Sequence, residues 1–439
     1  MAIVLAGENP DVELGEKTQV EALTKEAGET KVPVLPETKK ALGAKPFKLR
    51  WYVWVIAGVL VAGIVGGMAW YWGWWDRVYN SLTGTEDDGT DQDNGDLGPE
   101  EPVITYFENP INGVMIETED AAEAMERRPL CVMIENHPDA RPQYGLAEAD
   151  LVYEALAEGG ITRFMAVVWS TAPSRLMPIR SARAYYVKWA TDIEGCIYHH
   201  IGEAHSEDPD INVRTVVNKY GVLRIGDRAF LRDSECRKEH AQEHCAYSLP
   251  ETLWAEAEEE GWTGGIEDVQ AYKFKDETDP VSATTGVTDY STAAHSFHLT
   301  LTKGYSQNNY ETVWTYDKAT NSYKRAHGTL TKSTAHMDAT TGTQLSAKNV
   351  VIMRVVERST GDRKNHNEVE VIGTGTALIL MDGKIIEATW SKPDGDTRTT
   401  FFDLTGNEIK FNRGKIWIQA MPTVNTVEVK TPAGAIVEL

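Results

Sequence analysis

The chain has 439 residues, of which 41% are hydrophobic and 13 are tryptophan, so it is long enough to form two or three domains with buried cores. Its 66 acidic and 43 basic side chains give a formal net charge of -23. This balance argues against nucleic acid as a partner, because affinity for a phosphate backbone depends on Lys and Arg contacts, and four cysteines are too few for a disulfide-built scaffold.

The first part of the chain predicts a membrane anchor. Residues 1–50 are rich in Glu, Lys, Thr and Pro without a sustained apolar period, which predicts a disordered tail. Residues 51–75, WYVWVIAGVLVAGIVGGMAWYWGWW, carry no charge and are long enough to cross ~30 Å of hydrocarbon at ~1.5 Å per residue. We therefore predict a transmembrane helix that acts as a signal anchor. A cleaved signal peptide fits less well, because its apolar region is shorter and lies nearer the N-terminus.

Charges on the two sides of this segment predict its orientation. Basic residues precede it and acidic residues follow it: Lys39, Lys40, Lys45, Lys48 and Arg50, then Glu86, Asp87, Asp88, Asp91 and Asp93. Because the positive flank stays in the cytoplasm, we expect a single-pass cell-membrane protein with its C-terminal domains outside the cytoplasm. Gly63 and Gly67 have the small-xxx-small spacing that could pair two helices into a homodimer, although such spacing is also common on any face of small residues.

An N-terminal ectodomain of α/β or α+β class is predicted over residues 103–265, after a flexible acidic linker over residues 76–102. Its strands are expected at four short apolar runs typical of strands buried on both faces: LCVMIE (130–135), LVYEAL (151–156), FMAVVW (164–169) and CIYHHI (196–201). Its helices are expected over EDAAEAMERR with Thr118 as N-cap, over SARAYYVKWATDI with Ser181 as N-cap, and over ETLWAEAEEE with a Ser248–Glu251 capping box.

The composition changes near residue 266 to Thr, Val, Tyr and Gly with period-two alternation, which predicts an antiparallel β-rich C-terminal domain over residues 266–439. Hairpins are expected at VWTYDKATNSYKRA and at LILMDGKIIEATW, the second with an Asp382-Gly383 turn suited to type I′ geometry. Further strands are expected at NVVIMRVV, EVEVIG, RTTFFDL and KIWIQAM.

Several of these segments resemble the YerB-like proteins, bacterial envelope proteins with a domain of unknown function. The resemblance rests on ENHPDARPQYGLAEADLVYEALAEGGITRFMAV, PIRSARAYYVKWA, AHMDATTG, GTGTALILMDGKIIEATWSKP and IWIQAMP, and it extends over about residues 102–422. It implies an envelope location, whereas no reaction is implied. Members of that family are lipoproteins attached through an N-terminal Cys, while here Cys131 is the first Cys; LMPIRSAR and HHIGEAHSED also depart from the family pattern. His244 and Tyr247 match it.

Polar residues where the first predicted strand ends are candidate ligand contacts. His137 could act as an acid or base, and Arg141 could hold a carboxylate or phosphate, beside Asn136 and Gln143. The alternative interpretation is a rigid Pro-braced loop whose polar groups satisfy the backbone.

Charged residues further along suggest two more sites. Glu154 and Glu158 could be the paired carboxylates of a glycoside hydrolase, or could belong to a structural network with Arg163, Arg180 or Arg183. Arg180 and Arg183 flank Ser181 at a predicted helix start, where an anion is favoured, unless both guanidinium groups are paired with those glutamates.

Histidines and cysteines cluster between residues 196 and 245. His200 belongs to a group, with His199, Glu203 and His205, in which a metal site is conceivable but no fixed ligand spacing supports one. Along an unbroken helix, Cys236 and Cys245 would lie ~13.5 Å apart, too far for a disulfide. Because the ectodomain lies outside the reducing cytosol, we nevertheless favour that disulfide, with a broken helix, over a zinc site with His240 and His244 or free thiols.

Two functions of different class follow. The first is a membrane-anchored binding or accessory module for a wall polymer, an anionic glycan or another envelope protein. The second is an envelope hydrolase or transferase that uses Glu154, Glu158 or His137, with Arg180 and Arg183 holding an anionic substrate. We predict no cofactor and assign no metal ligands. Glutamates locked in salt bridges would favour the binding module.

Overall fold

The computed structural model describes residues 105–265, 270–299, 310–362 and 366–439. The predicted tail, transmembrane helix and acidic linker over residues 1–102 lie outside these ranges, so the anchor stays a prediction. Within the described ranges, no helix combines the length and the apolar character that crossing a bilayer requires.

The α-helices of the described residues all lie before residue 266. They are α1 (Thr118–Met125), α2 (Ala184–Ala190), α3 (Val213–Tyr220), α4 (Cys236–Glu239) and α5 (Pro250–Glu259). Two short 3-10 helices, Pro138–Ala140 and Gln242–His244, lie in loops. The helices expected near residues 118, 181 and 249 therefore exist, but their ends differ from the predicted ones.

The apolar and alternating segments form strands. In the N-terminal part they are β1 (Tyr106–Glu108), β2 (Met115–Glu117), β3 (Leu130–Glu135), β4 (Leu151–Leu156), β5 (Thr162–Val168), β6 (Ile197–His199), β7 (Arg224–Ile225), β8 (Leu231–Arg232) and β9 (Ala246–Tyr247). In the C-terminal part they are β10 (Lys273–Lys275), β11 (Val287–Asp289), β12 (Ser296–Leu299), β13 (Thr312–Asp317), β14 (Ser322–Gly328), β15 (Ser333–Ala335), β16 (Ser346–Ala347), β17 (Asn349–Val355), β18 (Glu357–Ser359), β19 (Asn367–Val369), β20 (Gly373–Met381), β21 (Lys384–Lys392), β22 (Thr400–Asp403), β23 (Lys410–Asn412), β24 (Ile416–Pro422), β25 (Val427–Lys430) and β26 (Ile436–Glu438).

A central sheet of eleven strands contains both parts. Its order is β11-β21-β20-β17-β24-β4-β5-β3-β6-β7, with β22 paired to β21. β24 of the C-terminal part lies parallel to β4 of the N-terminal part, with Ile416 opposite Leu151 and Gln419 opposite Glu154. The segments 103–265 and 266–439, predicted as two ectodomains, therefore contribute to one sheet.

A second sheet of seven strands has the order β15-β14-β13-β12-β25-β26, with β16 paired to β14. It contains the predicted hairpin of β13 and β14. The predicted Asp382-Gly383 turn joins β20 to β21, and both of its residues have positive φ, as a type I′ turn requires. The C-terminal part is β-rich, as expected, but it is not wholly antiparallel, because β24 is parallel to both of its neighbours.

The middle strands of the central sheet, β3, β4, β5 and β24, are buried on both faces, which explains their unbroken apolar runs. In β3, Cys131 and Met133 belong to a core cluster with α2, whereas Val132 and Ile134 belong to a second cluster with strands of the seven-stranded sheet. The first cluster contains Tyr185 and Trp189, and the second contains Trp314 and Trp417. The site described below lies partly within that second layer.

Three predicted helix caps are wrong. α1 begins with Thr118 itself, whose hydroxyl donates to the backbone oxygen of Thr105. α2 begins two residues later than expected, with Arg183 rather than Ser181 at the N-cap. The Ser248–Glu251 capping box is absent, because Ser248 instead hydrogen-bonds the buried ring of His199 at 2.8 Å. For Thr118 and Ser248 a longer-range contact replaces the local capping contact that the sequence suggests.

Candidate functional site

The loop that follows β3 is held by its own polar side chains. Asn136 is fully buried and donates to the Thr162 hydroxyl at 2.6 Å. Its side-chain oxygen accepts from Arg141 Nε at 3.0 Å, and its backbone oxygen accepts from Arg141 Nη2 at 2.8 Å. These contacts match the interpretation of a rigid loop, and they fix Arg141 in one orientation.

A chain of buried hydrogen bonds leads from this loop to the seven-stranded sheet. Gln143 donates to the backbone oxygen of Glu135 at 2.9 Å, and its side-chain oxygen lies 2.6 Å from His336 Nε2. His336 Nδ1 accepts from Arg325, so the ring must donate through Nε2 and is neutral. Burial, together with the charge of Arg325, lowers the pKa of His336 well below its ordinary value, in agreement with this assignment.

Arg325, which donates to His336, also forms a buried ion pair with Glu154. Arg325 Nη2 binds the two carboxylate oxygens of Glu154 at 2.8 and 3.0 Å, and both side chains have no solvent exposure. Trp417 Nε1 donates to the same carboxylate at 3.0 Å. The carboxylate has no face left for a substrate. Sequence reasoning missed Arg325 because it lies 171 positions away, on β14 of the other sheet.

Glu158 is bound by two arginines on the other side of the central sheet. Arg163 contacts it at 2.7 Å, and Arg183 contacts the other carboxylate oxygen. Burial alone would raise the pKa of Glu158, but the two guanidinium groups hold it well below its ordinary value. Glu154 and Glu158 are therefore each locked to arginine. Glu158 has partners that the predicted structural network named, whereas Arg325, the partner of Glu154, was not among them.

Around Ser181, where an anion site was expected, both arginine side chains are already paired with glutamates. Arg183 contacts Glu158, and Arg180 Nε lies 3.1 Å from a carboxylate oxygen of Glu135. Ser181 contributes its backbone oxygen, which accepts from Arg163 at 2.7 Å. Moreover, the helix starts at Ala184, so its first N–H groups lie beyond Ser181.

The histidines at the end of β6, His199 and His200, also have protein partners. The two ring nitrogens of His199 contact the Ile225 backbone oxygen and the Ser248 hydroxyl. His200 Nδ1 contacts the Gly202 backbone oxygen at 2.7 Å, and its Nε2 accepts from Arg224 at 3.0 Å. Burial lowers the pKa of each ring to about 4. The contacts leave no nitrogen of His199 or His200 directed at a shared ion.

His244 lies at an open edge of the same region. Its Nδ1 is 2.9 Å from a carboxylate oxygen of Glu135, and its ring stacks on that of His137 with 4.9 Å between centroids. The structure joins Cys236 to Cys245, the pair favoured from the sequence, and the helix between them breaks at His240. It also joins Cys131 to Cys196, which the sequence did not suggest. The first disulfide fixes the chain immediately beside His244.

A solvent-connected cavity of about 760 Å³ opens beside Arg141 and the end of β14. Its lining includes Arg141, Lys332, His327 and His336 but no carboxylate, and it also includes threonine hydroxyls: Thr329, Thr331 and Thr334. Both ring nitrogens of His327 are buried, and among the described residues neither has a hydrogen-bond partner. Burial, followed by the charges of Arg325 and Arg141, lowers the pKa of His327 well below its ordinary value. The cavity thus combines two cations with uncharged hydrogen-bonding groups.

Of the cavity residues, sequence reasoning identified only Arg141. His327 and Lys332 lie where β14 ends, a position that no local pattern distinguishes. His336 lies within AHMDATTG, so the family resemblance alone drew attention to that segment. Burial lowers the pKa of Arg141 to about 10, so this side chain stays charged at neutral pH.

Comparisons with known proteins cover most of the folded part. Family models described as the N-terminal and C-terminal domains of a protein of unknown function, DUF3048, match residues 115–263 and 300–418. YerB of Bacillus subtilis (strain 168), whose name assigns it provisionally to the lipoproteins, is 28% identical over 326 residues, which are 74% of this chain and 89% of that protein. The crystal structure of Bacillus subtilis YerB is similar, with a TM-score of 0.58 and 25% identity over 73% of this chain and 99% of the other.

Proposed function

The chain belongs to the YerB-like family of DUF3048 proteins, and from this premise we propose that it is a membrane-anchored extracytoplasmic binding module of the cell envelope. The name of the Bacillus subtilis relative supports attachment to a membrane. Here the proposed anchor is the apolar segment 51–75. Two disulfides support an oxidising compartment, because such bonds are rare in the reducing cytosol.

The proposed ligand is an anionic glycan or wall polymer, bound in the cavity of about 760 Å³. The observation that carries this proposal is the charge of the lining: Arg141 and Lys332 without a carboxylate, in a chain whose formal net charge is -23. A concave site of one sign attracts ions of the other, and arginine binds phosphate or carboxylate with two donors. The threonine hydroxyls and the neutral His327 ring suit the hydroxyl groups of a sugar.

The locked glutamates favour binding over the hydrolase or transferase alternative. Both catalytic carboxylates of a glycosidase must reach the scissile bond, with ~5 to 9.5 Å between them. Glu154 is enclosed by Arg325 and Trp417, and Glu158 is held by two arginines. Neither carboxylate lines the cavity beside Arg141.

The test measures binding by full-length protein purified in detergent. The probes are poly(glycerol phosphate) and polygalacturonate, with neutral dextran as the comparison, titrated by calorimetry at two salt concentrations. Lys332 is exposed, so Lys332→Ala should not disturb folding. A hydrogen bond to a charged group contributes about 1.5–3 kcal/mol, so we expect affinity for at least one polyanion to fall roughly 10- to 100-fold in Lys332→Ala and in Arg141→Ala.

Lys324→Ala is the matched control, because Lys324 is an exposed lysine of β14 that pairs with Asp317 and does not line the cavity. It should bind as the wild type does. The proposal is rejected if wild-type protein binds neither polyanion more tightly than dextran. It is also rejected if both cavity variants retain wild-type affinity.

A further inference from the structure

A second group of side chains, outside the cavity, has the composition of a metal site. Ligand atoms of His137, Asp139 and His244 all lie within 4.8 Å of one another. His137 and Asp139 come from the loop after β3, and His244 comes from the 3-10 helix Gln242–His244. Segments more than 100 positions apart in the chain therefore bring two imidazoles and a carboxylate together.

The spacing of the first two groups is close to that of two ligands on one ion. His137 Nδ1 lies 3.7 Å from an oxygen of Asp139. Two atoms that each lie about 2.1 Å from a tetrahedral zinc ion are roughly 3.4 Å apart. A shift of a few tenths of an ångström would therefore let both atoms reach one ion.

A neighbouring carboxylate, that of Glu135, orients the His244 ring for metal binding. Its Nδ1 contacts Glu135 at 2.9 Å, and Arg180 binds the other oxygen of Glu135 at 3.1 Å. With Nδ1–H donating to Glu135, the lone pair of the ring lies on Nε2. Histidines that bind metals almost always donate their second nitrogen in this way, which fixes the ring and increases its basicity. The Cys236–Cys245 disulfide restrains the backbone on the adjacent residue.

His137 must move slightly to complete the group. Its ring is nearly parallel to that of His244, with 13° between the planes, and its Nδ1 accepts from the backbone N–H of Asp139 at 3.2 Å. The lone pairs of stacked rings do not converge on one point. Because the His137 side chain is 32% exposed, its ring has room to turn, and the ion would replace the weak hydrogen bond to Asp139.

We propose that His137, Asp139 and His244 bind a divalent transition-metal ion of the zinc class, with Glu135 as a positioning residue behind His244. Two imidazole nitrogens and one carboxylate suit zinc, whereas calcium and magnesium prefer oxygen ligands throughout. Asp139 is 61% exposed, so the solvent side of the ion stays open to a water molecule. Three protein ligands with an open fourth position characterise zinc sites that bind an exogenous ligand.

The test uses full-length protein purified in detergent without a histidine tag and stripped of metal with a chelator. Zinc chloride is titrated by calorimetry, and the zinc retained after desalting is measured by plasma mass spectrometry. We expect one zinc per chain in the wild type, and no stoichiometric zinc in His137→Ala or His244→Ala. Glu135→Gln should bind zinc 10- to 100-fold more weakly, as expected for loss of a neighbouring carboxylate. Magnesium chloride should give no binding at this site.

His205→Ala is the matched control, because His205 is 65% exposed and lies outside the group. It should bind zinc as the wild type does. If circular dichroism shows that His244→Ala is unfolded, zinc binding by His137→Ala and Asp139→Asn, which alter more exposed residues, still tests the proposal. The proposal is overturned if wild-type protein retains no stoichiometric zinc, or if folded His137→Ala and Asp139→Asn retain it unchanged.

Discussion

Glu154 on β4 and Glu135 on β3 lie in the same sheet, with β5 between them, and each is bound by an arginine, yet their surroundings differ. Glu154 and Arg325 have no solvent exposure, and Trp417 covers the pair. Glu135 is also buried, but its partner Arg180 is 28% exposed and its partner His244 contacts the exposed ring of His137. We call the first the sealed centre and the second the open edge.

This difference separates stability from ligand binding. A buried ion pair with no solvent exposure can only hold the two sheets together, because a ligand cannot reach it without breaking it. At the open edge, one buried carboxylate orients side chains that solvent can reach. The same residue type thus has a structural role at the sealed centre and a positioning role at the open edge.

The largest effect is expected at the sealed centre. Glu154→Ala leaves the Arg325 guanidinium buried without its counter-ion, so the free energy of unfolding should fall by about 3–5 kcal/mol. Urea unfolding followed by tryptophan fluorescence measures this change. Arg325→Ala should cost a similar amount, and the double variant much less than the sum. Additive effects of the two substitutions would contradict a direct interaction between Glu154 and Arg325.

The two disulfides offer a second comparison, between the core cluster that contains Cys131 and the open edge. Cys131 lies in β3 within the core and is joined to Cys196 across 65 positions, whereas Cys236 and Cys245 enclose only 9. In the chain-entropy account, removal should cost about 4 kcal/mol for the longer loop and about 3 kcal/mol for the shorter one. Unfolding of the paired Cys→Ala variants measures both. A larger loss for Cys236→Ala/Cys245→Ala would show that the open edge is the more constrained region.

The contrast also shows what the sequence could reveal. β3 and β4 were predictable because a strand buried on both faces must be apolar throughout. The hairpin at Asp382-Gly383 was predictable because a type I′ turn needs residues that accept positive φ. Both patterns are local, and each depends on a few adjacent residues.

The site depended on contacts that no local pattern encodes. The sequence suggested that Glu154 would meet an arginine, but the partner, Arg325, lies on another sheet. Cys131 meets Cys196 because β3 pairs with β6, and that pairing becomes evident only from the sheet order. The cap expected at Ser248 was wrong for the same reason, since His199 competes for its hydroxyl.

A pH dependence should arise from the buried rings of His199 and His200. Burial lowers both pKa values to about 4, below the value of ~6.5 for an unfolded chain. The unfolded chain therefore binds more protons as the pH falls below about 6.5, so the stability that the neutral rings contribute is present above that pH and lost toward pH 4. Between pH 7 and 5 we expect a loss of up to about 2 kcal/mol for each ring.

Urea unfolding at several pH values measures this slope. His199→Gln should reduce it, whereas His205→Ala should not, because His205 is 65% exposed. An unchanged slope in His199→Gln would indicate that the pKa of this ring is the same in the folded and the unfolded chain.

The smallest effect is expected for His137→Ala at the open edge. The substitution removes a ring stacked on His244 and a hydrogen bond to the Asp139 backbone, but the side chain is 32% exposed and solvent can replace both contacts. We expect the free energy of unfolding in metal-free buffer to fall by about 1 kcal/mol or less. A loss as large as that of Glu154→Ala would mean that the open edge is as structural as the sealed centre. A small loss would mean that folding does not depend on His137. This is the result expected for a side chain that is available to bind a ligand.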